Sequence, residues 1–202
     1  MIRILLFRLL LPATAAAQSF PAIYDVSGVA SNDTLNVRTG PGTANPIIGE
    51  LAHDAINVEV VARAADANWG MVNIGERSGW VSLAFMERQP GEWFGAGSIL
   101  RRCFGTEPFW DLDIAGGVVT FSQLGTPVFS APQEVFTGGG AATGAQAMWM
   151  SAPGGQQASL VVRRELCSDG MSDQSYGLSA ALVTRLPGSG TQLWSGCCTV
   201  AP

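Results

Sequence analysis

Lysine is absent from this 202-residue chain: all 11 cationic side chains are arginine, set against 16 carboxylates, and histidine occurs once, at His53. A chain so poor in cations lacks the dense positive face that nucleic acid or an anionic lipid surface requires, so neither is expected as a partner. There is no GxSxG elbow and no P-loop, which excludes the hydrolase and phosphate-binding chemistries those motifs carry. His53 lies in the polar stretch "AHDA" beside Asp54, and with no nucleophile motif nearby a solvated turn is expected. Cysteine is missing from the first half, and the CxxC spacing and histidine clusters of zinc sites are missing throughout. No metal and no cofactor are therefore expected. No apolar run reaches the roughly 20 residues that a membrane-spanning helix needs.

Met1 to Ala17 has an early Arg3, an apolar "ILLFRLLLPA" interrupted by Arg8, and a small-residue exit "AAA". This is the layout of a secretory signal peptide, with cleavage expected after Ala17. No cysteine follows the cleavage point, so a lipid anchor is not indicated, and a periplasmic or secreted protein is expected. Loss of Arg3 and Arg8 moves the formal charge from -5 to -7. The 25 glycines and the many short apolar runs between turn residues point to an all-β chain. The mature length suits two small domains, at 22–88 and 99–202, joined by a turn-rich segment at 89–98.

In an exported chain, the even set Cys103, Cys167, Cys197 and Cys198 is expected to form two disulfides. Neighbouring residues of a strand point to opposite faces, so Cys197 and Cys198 each reach a different partner among Cys103 and Cys167. The spacing leaves open which pairs with which.

Between Ile23 and residue 88 the pattern is a string of brief strands, "TLNVR", "IIGEL", "INVEVVARA", "WGMVNI" and "GWVSLAFM", separated by turns. Strands of this length suit a small, partly open barrel. Its expected inward set is Leu35, Val37, Ile48, Leu51, Val58, Val60, Val72, Ile74 and Val81. The stretch "LNVRTGPGT", then Trp69-Gly70-Met71-Val72, then Gly79-Trp80-Val81, resembles the bacterial SH3-like (SH3b) domain across residues 22–88. The resemblance implies a small barrel of exported bacterial proteins that recognises cell-wall peptides or other envelope partners. In several relatives such a module accompanies a catalytic domain and supplies only targeting. Arg38, at the strand–turn junction, carries five donors in a fixed fork suited to pinning a loop, with Asp33 as an acidic neighbour; contact with a ligand is its other use. Trp80 is expected in the core and Trp69 at the rim, where its indole, with Arg38, Thr39 and the rest of the 38–45 loop, would line a ligand groove.

The second half alternates through about seven strands, "PFWDLDIA", "VVTFSQ", "PVFSAPQEVF", "AQAMWMSA", "ASLVVRREL", "YGLSAALVTR" and "TQLWSGCCTV". These are expected to form an antiparallel meander closed into a barrel or a curved sheet. "TGGGAATG" (137–144) is too rich in small residues to pack and is read as a mobile loop. "CFGTEPFW" (103–110), "CSDGMSD" (167–173) and "GCC" (196–198) together resemble an uncharacterised bacterial envelope domain marked by a G-N/T-E-P-F-W motif. Here Thr106 stands at the position more often filled by asparagine. That resemblance implies a domain but no activity.

Glu107, forced towards extended backbone by Pro108, is a candidate for partial burial beside Phe109 and Trp110, which would suit a general acid. Its other reading is a carboxylate that locks the strand start through backbone hydrogen bonds. Asp169 and Asp173 flank Gly170 in "SDGMSD". They fall short of the six or more oxygens of a calcium site, and a stapled loop at the rim of a pocket is expected. Ligand contacts are thus expected from Arg38, Thr39, Trp69, Glu107 and Asp169. Three functions compete. The first is a non-catalytic envelope protein that binds a cell-wall peptide or a protein partner, with a ligand-binding or inhibitory barrel. The second is a wall hydrolase using Glu107, Asp111, Asp113, Asp169 and Asp173. The third is a scaffold with Trp93, Phe94 and Trp149 at an interface.

Overall fold

The computed structural model describes residues 19–94, 99–137 and 144–201. The segment expected to be a signal peptide and most of the 137–144 loop lie outside them. Among the described residues the chain is all β apart from one short 3-10 turn at Leu83–Phe85.

The N-terminal body contains β1 (Ala22–Val26), β2 (Thr34–Arg38), β3 (Ile47–Ala52), β4 (Val58–Val60), β5 (Ala62–Arg63), β6 (Trp69–Ile74), β7 (Arg77–Ser82) and β8 (Met86–Trp93). They form a five-stranded sheet, β3-β2-β7-β6-β5, and a three-stranded sheet, β4-β1-β8. The run "INVEVVARA", read as one strand, is two: it changes sheets at Val61, whose N–H bonds Met71 O. Leu35, Val37, Val60, Val72 and Val81 are buried as expected, while Ile48, Leu51, Val58 and Ile74 pack on that cluster from its edge.

Trp80 is not core. Strand alternation sends Gly79 and Val81 inward, so Trp80 between them faces the other way and stays half-buried. Gly79 is needed because a Cβ there would come within 2.4 Å of Val37 Cγ1. The join at 89–98 is also more ordered than expected as far as its residues are described. β8 runs on through Trp93, pairing with Ala22, and a bulge between Arg88 and Trp93 absorbs Pro90 and Gly91. Phe94 is 1% exposed and sits in the hydrophobic core of the C-terminal body rather than on a surface.

That body contains β9 (Arg102–Thr106), β10 (Phe109–Ala115), β11 (Val118–Gln123), β12 (Thr126–Pro132), β13 (Glu134–Thr137), β14 (Ala145–Ser151), β15 (Gln157–Cys167), β16 (Tyr176–Leu186) and β17 (Gly190–Thr199). Nine strands replace the expected seven because "RCFGT" forms the additional β9 and "PVFSAPQEVF" breaks at Gln133 into β12 and β13. The antiparallel order β12-β11-β10-β9-β17-β16-β15-β14-β13 curls into a nearly closed barrel of eight strands. Its interior is filled by Trp110, Phe121, Phe129, Met150, Leu160 and Trp194. The two indole N–H groups are satisfied by Ser195 O at 3.1 Å and Thr184 Oγ1 at 2.8 Å. Such a barrel is a packed core, not a lumen.

The pairing left open by spacing is Cys103–Cys198 and Cys167–Cys197. Where β17 passes β9, a Cβ on Gly196 would lie 1.9 Å from Phe104 O. Gly196→Ala must therefore push apart two strands at the site of both bridges. A loss of about 3 kcal/mol, or roughly 6–12 °C in Tm, is expected by calorimetry.

The two bodies are joined along a seam. Ile23 alternates away from its own sheet partners into the C-terminal core. Gly177 packs where a Cβ would be 2.8 Å from Val61 O. Glu59, on β4, captures the chain end: Oε2 accepts from the Thr199 hydroxyl and from the N–H groups of Val200 and Ala201, each at 3.3 Å. Burial pushes the Glu59 carboxyl above the usual glutamate range, against the hydrogen bonds of Thr199, Ala201 and Val200.

Candidate functional site

Two concave surfaces hold four of the residues singled out by sequence, Arg38 and Trp69 in one and Glu107 and Asp169 in the other. The first, of about 330 Å³, lies on the N-terminal body and is lined by Asp33, Arg38, Thr43, Trp69, Ser82 and Phe85 among others. β2 delivers Arg38, β6 begins with Trp69, and the 3-10 turn after β7 supplies Phe85, 42% exposed. Arg38 donates to Asn45 O at 2.8 Å, and Asn45 Nδ2 in turn bonds Pro41 O and Gly42 O. Arg38 is therefore the expected clasp of the 38–45 loop. Its remaining N–H donors have no partner among the described residues, so the same fork also faces the groove. Asp33 accepts from its neighbour's N–H, Thr34 N, at 2.8 Å and makes no ion pair with Arg38 among the described residues.

Thr39 does not line this groove. It is exposed on the loop, its N–H held by Pro46 O at 2.9 Å, and Thr43 is the loop threonine that faces inward. Phe85 was missed because "SLAFM" reads as a continuing strand. The turn breaks the alternation, placing Leu83 against the core and Phe85 outside it.

The second cleft, of about 680 Å³, is lined by Phe104, Glu107, Cys167, Asp169, Met171 and Ser195 among others. It brings Glu107 and Asp169 to one surface, which their separation in sequence could not show. Glu107 is nevertheless exposed in the β9–β10 turn, and Phe109 beside it is 48% exposed, so the burial a general acid would need is absent. A turn of only two residues, Glu107 and Pro108, leaves nothing to cover the carboxylate.

Asp169 is committed to its own loop. Oδ1 accepts from Met171 N and Ser172 N, both at 2.9 Å, and Oδ2 from the Ser172 hydroxyl at 2.9 Å. Partial burial opposes its charge, but these hydrogen bonds outweigh it and hold the carboxyl below the usual aspartate range. Asp111 is tied to Arg102, with Asp113 3.8 Å from the same guanidinium. Asp173 instead offers backbone, through its N–H to Glu76 O and its carbonyl to Ser78 N. The carboxylates of Asp169, Asp111 and Asp113 thus brace loop and strand. His53 and Asp54 stand 3.9 Å apart in a solvated turn.

All four cysteines are in disulfides. Among the described residues no helix is long and apolar enough to cross a membrane. No family model, curated protein or solved structure matches the chain.

Proposed function

We propose that this is a non-catalytic, exported protein of the cell envelope, periplasmic or secreted, whose SH3-like N-terminal body recognises a short cell-wall peptide. The observation that carries this reading is the groove in which Asp33, Arg38, Trp69 and Phe85 meet. A wall peptide carries free carboxylates and an amine on a short aliphatic backbone. The spare donors of Arg38 suit the former, Asp33 the latter, and the two aromatic faces the backbone between them. The disulfides suit an oxidising compartment outside the cytoplasm. The C-terminal barrel, filled to its centre, acts through its outer surface.

The test is calorimetric titration of the full mature chain with a soluble wall tetrapeptide, beside co-sedimentation with purified peptidoglycan. Trp69→Ala is expected to weaken binding about tenfold, equivalent to about 1.4 kcal/mol, with little change in Tm because the indole is at the rim. Equal binding by the variant and the wild type would remove the groove from the reading. Release of soluble fragments from wall material by the wild-type protein would replace it with the hydrolase.

A further inference from the structure

We infer that Cys167–Cys197 is a thiol–disulfide exchange site for a protein dithiol, and that its reduction frees loop 168–175 from the N-terminal body while Cys103–Cys198 keeps the barrel intact.

The two bridges start from adjacent residues of β17 but occupy different environments. Cys198 turns inward to Cys103, both fully buried, and both belong to the barrel core. Cys197 turns to the opposite face, also fully buried, but is joined to Cys167, which is half-buried and forms part of the wall of the 680 Å³ cleft. Exchange requires in-line approach of a thiolate to one sulfur, so access decides which bridge reacts. The cleft supplies it at Cys167 and the packed core denies it at Cys103 and Cys198.

What the accessible bridge holds is the second observation. The β15–β16 ladder is irregular between Arg164 and Cys167, and Leu166 there is 60% exposed, so the disulfide secures the end of β15. The loop that follows makes a dense set of polar contacts with the β6–β7 hairpin. Asp173 N bonds Glu76 O at 2.9 Å, and Ser78 N bonds Asp173 O at 3.0 Å. Ser175 is gripped on both sides: its N–H donates to Ser78 Oγ at 2.8 Å, and its carbonyl accepts from Asn73 Nδ2 at 3.0 Å. Gln174 Nε2 reaches Gly75 O at 2.6 Å. The irregular segment that clasps one body to the other is therefore stapled at its root by the one bridge with a partly exposed cysteine, Cys167.

The chemistry balances with a dithiol as reductant. Its thiolate attacks Cys167 Sγ, the S–S bond breaks, and the electron pair leaves on Cys197 Sγ, which takes a proton. The second thiol of the reductant then attacks the mixed disulfide and releases Cys167, also protonated. Two electrons pass to the protein, and the dithiol ends as its own disulfide.

The probe is dithiothreitol on the native full chain, with timed iodoacetamide trapping, mass-spectrometric mapping and limited trypsin digestion. Cys167 and Cys197 are expected to be alkylated about tenfold or more faster than Cys103 and Cys198. Cleavage after Arg77, in the hairpin that the loop covers, should rise about tenfold over the same interval, with the β-sheet circular dichroism unchanged. A Cys167→Ser/Cys197→Ser variant should show the fast Arg77 cleavage without reductant and no further response to it. If that variant fails to fold, the wild-type time courses decide alone. Simultaneous loss of both bridges, or reduction of Cys167–Cys197 with Arg77 still protected, would overturn the inference.

Discussion

Stability should fall as pH rises above about 4.3, where an exposed glutamate ionises, and Glu59→Gln should remove that component of the fall. The folded chain holds the Glu59 proton more tightly than the unfolded chain, because burial disfavours the carboxylate. Between the two ionisations the native state therefore binds more protons, and the slope of unfolding free energy against pH is negative. The contribution is fully present below the unfolded value and is lost as pH passes through the folded one. Oε1 is buried without a partner among the described residues, which is the feature that makes the charged form costly.

Glu59→Ala is the more damaging change. It leaves the Thr199 hydroxyl and the N–H groups of Val200 and Ala201 without their acceptor, at an expected cost of about 3 kcal/mol. Urea titrations of the three proteins at pH 4 and pH 7 measure both effects. A wild-type slope unchanged in Glu59→Gln would show that the carboxyl ionises alike in both states. Asp169 acts with the opposite sign: its lowered value gives stability that is present above the ordinary aspartate range and lost as pH falls. Asp169→Asn should thus flatten the loss of stability at acid pH, where Glu59→Gln flattens the fall above about pH 4.3.

Removing the core bridge should have the largest effect of all. Cys103 and Cys198 are 95 residues apart, so Cys103→Ser/Cys198→Ser frees a long loop in the unfolded chain. By the chain-entropy relation this costs about 4.7 kcal/mol, or roughly 10–18 °C in Tm. It also leaves two hydroxyls in a fully apolar setting, next to Trp110 and Leu112. The Cys167–Cys197 loop is 30 residues, and opening it should cost less, about 3.6 kcal/mol. Thermal melts of the two double variants give the order directly. A smaller loss for the core pair would mean that native-state packing, not loop length, sets the worth of each bridge.

Much of the groove on the N-terminal body was readable beforehand. Arg38 and Trp69 were placed at one rim, and Arg38 does pin the 38–45 loop through Asn45 O. Thr39 lies off the groove and Phe85 lines it, and neither is legible in the sequence because both lie where regular pairing ends. Alternation carries no information past a bulge or a 3-10 turn. Of the two readings of Glu107, shielding by the aromatics after it is ruled out because a two-residue turn leaves it exposed. Trp80 was assigned to the core on residue type, although its parity with Val81 already pointed the other way.

Alternation and turn chemistry determined, without any coordinates, that this chain is built of strands and that Cys197 and Cys198 face apart. Those properties arise between neighbours in the chain, so one-dimensional order is enough to settle them. Tertiary structure alone decided that Cys198 takes Cys103, that the barrel is filled, that Glu107 and Asp169 share a cleft, and that Glu59 grips the chain end from the other body. Each of these depends on how far a twisted sheet curls and where two packed surfaces meet. That is set by the summed fit of side chains distant in sequence, which no local pattern encodes.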